Sequence, residues 1–168
     1  PDYEGDIEDL FQAELYLISP ITEAGRFLRK EYFLTSQQRD IERQILKGIR
    51  QKHTGYYWFI GLPGTGKTLL LYDLAMKLSG RQKVCLIHCG RAGKEWRILH
   101  ERLWRIDYLS DEQIHENKDL SEYNGVLIDE AHLLSEENLQ MILEACGQQP
   151  VIFSSDCEDI ISQEEFDR

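Results

Sequence analysis

Between Gly61 and Thr68 the chain reads GLPGTGKT, bringing three glycines, an ammonium and two hydroxyls into eight residues. A polyphosphate carries several negative charges, and these must be met by donors approaching closely from a curved backbone. Gly61, Gly64 and Gly66 lack Cβ atoms, so the backbone there can take positive φ and turn successive N–H groups inward as an anion nest. Leu62, Pro63 and Thr65 complete the loop, and Leu69 lies in the first turn of the helix that follows, whose amino end favours the same charge. Lys67 supplies a cation for the β and γ phosphates, and the Thr68 hydroxyl is a ligand for Mg²⁺. The spacing therefore predicts binding of a nucleoside triphosphate with Mg²⁺.

A second cluster, VLIDEAH from Val126 to His132, ends an apolar run that opens after Asn124 and Gly125. A carboxylate at the carboxyl end of a strand beside a phosphate loop can hold a metal-bound water, the role expected of Asp129. Glu130 is then the candidate base, because an adjacent carboxylate can polarise the water that attacks the γ phosphate. On their own the two acids could equally open a solvated loop. Their position downstream of GLPGTGKT is what gives them chemical meaning.

These residues need elements to hold them. YYWFI, from Tyr56 to Ile60, reads as a buried strand ahead of the loop. After it Leu69, Leu70, Leu71, Leu74, Ala75 and Leu78 recur at helical spacing, and Ser79 and Gly80 signal the helix end. VCLIHC, from Val84 to Cys89, predicts a second strand, Arg91-Ala92-Gly93 a turn, and Trp96, Leu99 and Leu103 a helix. Residues 106–123 are mixed and acidic, with room for a short strand or helix that the pattern does not place. The strand carrying Asp129 comes next, then a helix with Leu139, Ile142 and Leu143, capped by Ser135 and closed by Gly147. A fourth strand, VIFSS, follows Pro150.

Upstream, Ser36 is placed to cap a helix carrying Ile41, Ile45 and Ile49 on one face. Before it Ile7, Leu10, Phe11, Leu15 and Ile18 suggest an amphipathic helix, broken at Ser19 and Pro20, and Ile21 to Lys30 suggests another. Residues 1–32 thus read as an acidic helical leader, with a linker, part of an upstream domain and a cap on the core as its alternative roles. Residues 33–168 read as one α/β domain. Strands alternating with helices predict a mostly parallel sheet covered on both faces, with the ligand at the carboxyl ends of the strands.

The chain has 168 residues, 42% of them hydrophobic, enough for one domain with a real core. No apolar run approaches the roughly 20 residues needed to span a bilayer, and no secretion signal is evident, so a cytoplasmic location is expected. Cys85, Cys89, Cys146 and Cys157 show no C-x-x-C pair and no zinc spacing, and are expected as reduced thiols.

Charge is placed unevenly. The net charge is −11, but residues 1–32 carry −5, residues 33–106 carry +9 and residues 107–168 carry −15. The acidic total argues against nonspecific nucleic-acid binding by the whole surface, whereas the basic middle could form a stripe facing a phosphate backbone. Arg81, Lys83, Arg91, Lys94, Arg97, Arg102 and Arg105 are its densest part, with Arg91, Lys94 and Arg97 the candidate contacts to single-stranded DNA or RNA. A solvated face balanced by acidic neighbours is the alternative.

The order of these motifs resembles the first motor domain of superfamily 1 helicases, over about residues 33–161. The resemblance implies a RecA-like P-loop NTPase core, ATP hydrolysis, action on DNA or RNA, and a second RecA-like domain or a protein partner outside this segment. LTSQQ, from Leu34 to Gln38, is similar to the segment where such helicases recognise adenine through a glutamine, which puts Gln38 in that role. With IHCG after the second strand and FSSD after the last, the chain looks closest to a group of bacterial helicase-like ATPases related to the helicase-like domain of the third schlafen group. The same comparison implies sensor roles for His132, Ser154, Ser155 and Asp156. Two positions depart from the pattern: His132 stands where glutamine is more usual, and Asp159 stands where a glutamine would face the γ phosphate. A regulatory ATP-binding switch or scaffold, as in a defence system, is the alternative reading.

Overall fold

The computed structural model describes residues 24–30, 32–51, 56–61, 66–90, 96–116 and 119–156. Helix α1 (Ala24–Leu28) precedes α2 (Ser36–Arg50), and strand β1 (Tyr56–Gly61) leads to α3 (Lys67–Leu78). Strand β2 (Val84–His88), α4 (Trp96–Arg102) and β3 (Ile106–Ser110) follow, and a 3₁₀ turn (Asp111–Glu116) leads toward β4 (Val126–Asp129). A second 3₁₀ turn (Ala131–Leu133), α5 (Glu136–Ala145) and β5 (Val151–Asp156) complete the order. All four strand pairings are parallel, and the five strands lie in the order β1-β5-β4-β2-β3. The α/β class and the parallel sheet expected from the alternating pattern are therefore present.

Side chains alternate across the sheet and build two cores. Leu86, Leu127 and Ile152 face the layer made by α2 and α3, where Leu69, Leu70, Leu71, Tyr72 and Leu74 are buried. Cys85, Ile87, Val126, Ile128, Val151 and Phe153 face the opposite layer, with Ile142 of α5 and Leu120. Buried residues surround almost the whole of α3, as befits a helix wedged between a sheet and a second helix. Among the described residues no helix is long and apolar enough to cross a membrane.

Five expectations change. Ile106–Ser110 is a fifth strand, hidden in the sequence because it lies at a sheet edge and buries only Ile106 and Leu109. β1 is the other edge strand rather than a fully buried one: Tyr56, Trp58 and Ile60 are exposed, although Trp58 stacks on Phe153 at 4.6 Å. The cap of α2 is Thr35, not Ser36. Its hydroxyl accepts from the Gln38 amide N–H at 3.1 Å while the Gln38 side chain accepts from the Thr35 N–H at 2.9 Å, a reciprocal box that needs residues three apart. Gly147 does not cap α5 in the left-handed conformation, since the cap residue Cys146 is extended. Finally, Gly61 needs no positive φ, because it ends β1 in register with Asp156, whereas Gly66 takes φ 83°.

Residues 24–30 pack on the core. Phe27 is fully buried, stacked on Tyr32 at 5.2 Å and edge-on to Tyr72 at 6.0 Å. Beneath this aromatic group, Tyr32 donates to Asp73 at 2.5 Å, and Lys77 pairs with both Glu42 and Asp73.

Candidate functional site

The carboxyl ends of β1, β4, β5 and β2 converge on the amino end of α3. Alternation explains which side chains meet there. Leu127 faces α3, so Asp129, two residues on, faces it too; Ile152 faces α3, and so do Ser154 and Asp156. Parallel strands in register bring these ends level, His88 opposite Asp129 and Gly61 opposite Asp156.

Contacts follow from that placement. Thr68 Oγ1 donates to the Asp129 carboxylate at 3.2 and 3.3 Å, joining residues 61 apart in sequence. Asp129 is buried and also accepts from the Glu130 amide N–H at 3.1 Å, with His88 Nδ1 3.3 Å from its other oxygen. Lys67 Nζ donates to the Gly61 carbonyl at 2.8 Å and pairs with Asp156 Oδ1 at 2.7 Å. Gln38 Nε2 donates to the Gly66 carbonyl at 3.3 Å. Its amide is thus occupied at both ends by backbone, beside the residue that opens α3.

Glu130 takes φ 57°, a left-handed conformation that costs a non-glycine residue of order 1 kcal/mol. The turn swings its carboxylate out of the strand toward His132, whose Nε2 lies 3.3 Å from Glu130 Oε2 and 3.6 Å from Asp156 Oδ2. Burial first, then the negative charge of Asp129, holds the Glu130 carboxyl above its ordinary range, with Asp156 adding to the effect and His132 opposing it.

Glu130, His132 and Asp156 bring potential metal-ligating atoms within 4.8 Å of one another. His132 Nδ1 accepts from the Asp156 amide N–H at 3.2 Å, which turns Nε2 toward the two carboxylates and ties the ring to the end of β5.

Of the residues singled out in the sequence, Gly61, Gly66, Lys67, Thr68, Asp129, Glu130, His132 and Asp156 come together. Leu69 is buried one residue beyond Thr68. Ser154 and Ser155 are buried at the end of β5, and Ser155 is turned to its own strand, its hydroxyl 3.4 Å from the Asp156 carbonyl. Leu62, Pro63, Gly64 and Thr65, together with Arg91, Lys94, the Arg97 side chain, Cys157 and Asp159, lie outside the described residues. Arg81, Lys83, Arg102 and Arg105 lie at the amino ends of β2 and β3, away from Asp129; Lys83 pairs with Asp107 at 3.6 Å and Arg105 packs over Trp104 at 4.7 Å. His88 is the site residue that sequence reasoning missed, and its signal was its place at the end of the strand paired with β4.

Cys89 is buried at the site's edge, its thiol pushed up to about 12 by burial and by Asp111, Asp129 and Glu130, so it stays protonated and unreactive. Compared with known proteins, the chain matches no family model and no curated sequence.

Proposed function

We propose that this domain binds ATP with Mg²⁺ on a RecA-like P-loop core and hydrolyses the γ phosphate slowly. The observation that carries the reading is the hydrogen bond from Thr68 to Asp129, which unites two motifs far apart in the chain. Thr68 Oγ1 and Asp129 are hard oxygen donors 3.2 Å apart, close to the roughly 3 Å edge of an octahedron with 2.0–2.1 Å bonds, and so fit Mg²⁺. When bound, the ion would neutralise charge on the phosphates and favour departure of the leaving oxygen.

The protein's own groups have distinct tasks. Thr68 and Asp129 hold the metal, and Asp129 is itself oriented by the Glu130 N–H and by His88. Lys67, already at the mouth of the loop, moves its ammonium from Asp156 to the β and γ phosphates. Glu130 accepts a proton from the attacking water as its oxygen bonds to the γ phosphorus and the bond to the β–γ bridging oxygen breaks. A carboxyl raised by burial is a stronger base than a solvated one, which suits this step.

Calorimetric titration of ATP-Mg²⁺ into wild type and a Lys67→Ala, Thr68→Ala double variant tests the reading: binding is lost in the variant, and equal affinity sinks it. Phosphate release with and without single-stranded DNA or RNA then separates two uses of the site. Stimulation by the polynucleotide identifies a motor domain of the superfamily 1 helicase type, whereas nucleotide-dependent capture of a protein partner without turnover identifies a switch.

A further inference from the structure

We infer that Asp156 makes ligand entry depend on a metal: its carboxylate pairs with Lys67, so that a polyphosphate is accepted as its Mg²⁺ complex and rejected as the free anion. This rests on the nucleotide-site reading above, and concerns how that site chooses the charge state of its ligand.

The geometry is specific. Gly61 and Asp156 are register partners at the ends of β1 and β5, and both hold the same ammonium, through a carbonyl at 2.8 Å and a carboxylate at 2.7 Å. The pair is shielded, with the Lys67 and Asp156 side chains 13% and 22% exposed, so the attraction is weakly screened. The Asp156 N–H donates to His132 Nδ1 at 3.2 Å, and its second carboxylate oxygen lies 3.6 Å from Nε2 of the same ring, so the residue is also held from the side away from Lys67.

Charge completes the argument. Asp129, Glu130 and Asp156 place three carboxylates at neighbouring strand ends, of which Asp156 holds Lys67, while the imidazoles of His88 and His132 contact the same acids. A metal-free triphosphate must displace Asp156 from Lys67 and then lie against an excess of like charge. The Mg²⁺ complex brings two positive charges to the carboxylates and leaves Lys67 free to turn to the phosphates.

Asp156→Asn keeps the shape and the strand N–H but removes one charge. The test is a titration of ATP into wild type, Asp156→Asn and Asp156→Ser, each with excess Mg²⁺ and each with EDTA. The ratio of the EDTA dissociation constant to the Mg²⁺ dissociation constant is expected to fall about ten-fold in both variants, mainly through tighter binding of free ATP. Thermal melts without nucleotide establish that the variants are folded. A ratio unchanged from wild type in both variants, or a wild type that binds free ATP as tightly as ATP-Mg²⁺, overturns the inference. Lys67→Ala distinguishes the two failures: if it leaves ATP-Mg²⁺ affinity intact, the nucleotide-site reading falls, whereas if it abolishes binding while the Asp156 variants keep the wild-type ratio, the charge-selection role alone falls. A wild type that binds no ATP in either condition overturns both.

Discussion

Gln38 ties α2 to the start of α3: its Nε2 donates to the Gly66 carbonyl at 3.3 Å while its Oε1 closes the capping box with Thr35. The helix ahead of β1 is thereby fastened to the residue that starts α3. Gln38→Ala removes both bonds and is expected to cost about 1–2 kcal/mol, against about 1 kcal/mol for Thr35→Ala, measured by urea unfolding. If Gln38 also turns its amide to adenine when ATP is bound, the preference for ATP over GTP shrinks in Gln38→Ala and stays in Thr35→Ala. Equal base preference in the two variants confines Gln38 to its structural role.

On the proposed reading Glu130 acts as the base and Asp129 as the metal ligand, so the two neighbours should separate in kinetics. Glu130→Gln keeps the size and the backbone turn but cannot take a proton, and is expected to lower phosphate release by about a hundred-fold or more with ATP-Mg²⁺ affinity within a few-fold of wild type. Asp129→Asn is expected to lose affinity in the presence of Mg²⁺. Unchanged turnover in Glu130→Gln removes that residue from the mechanism.

Phe27 tests whether α1 belongs to the folded core. A fully buried phenylalanine stacked on Tyr32 loses about 3–5 kcal/mol when cut to alanine, through lost transfer energy and an unfilled cavity. Phe33, 58% exposed, is the control, with a change within about 0.5 kcal/mol. Similar small effects at both positions would detach α1 from the domain.

Glu42 sets a pH dependence on stability. Burial first, and the neighbouring Asp73 with it, push its carboxyl up to about 7 from 4.5, although Lys77 opposes the shift. Between those values the folded protein binds more protons at Glu42 than the unfolded chain does, so this group's contribution falls as pH climbs from 4.5 toward 7. Asp73 moves the other way: burial works to raise it, but hydrogen bonds from Glu42 and Tyr32 and the charge of Lys77 prevail, so its contribution is lost only at lower pH. Glu42→Gln cannot ionise, and its stability relative to wild type is expected to improve by on the order of 1–3 kcal/mol between pH 5 and pH 8. A pH-independent difference between the two proteins sinks this account.

Much of the site could be read before any coordinates, because its parts are local signals. A carboxylate two residues beyond an inward-facing leucine must share that leucine's face. The alternation of Leu127 with Asp129 needs only the two-residue period of a strand. Less legible were edges. YYWFI looks buried by composition, yet β1 at the sheet's rim leaves Tyr56, Trp58 and Ile60 exposed; IDYLS looks irregular, yet pairs fully with β2.

Sequence alone thus determined the chemical groups, their order and the helical or extended state of the segments around them, since those depend on neighbours a few residues away. Tertiary structure alone decided that Asp156 holds Lys67, that His88 reaches Asp129 and that Phe27 fills the space over Tyr72. The physical reason is that charge pairing and burial are set by which strands lie side by side. That order follows from the packing of the whole sheet, a property no short stretch of chain carries.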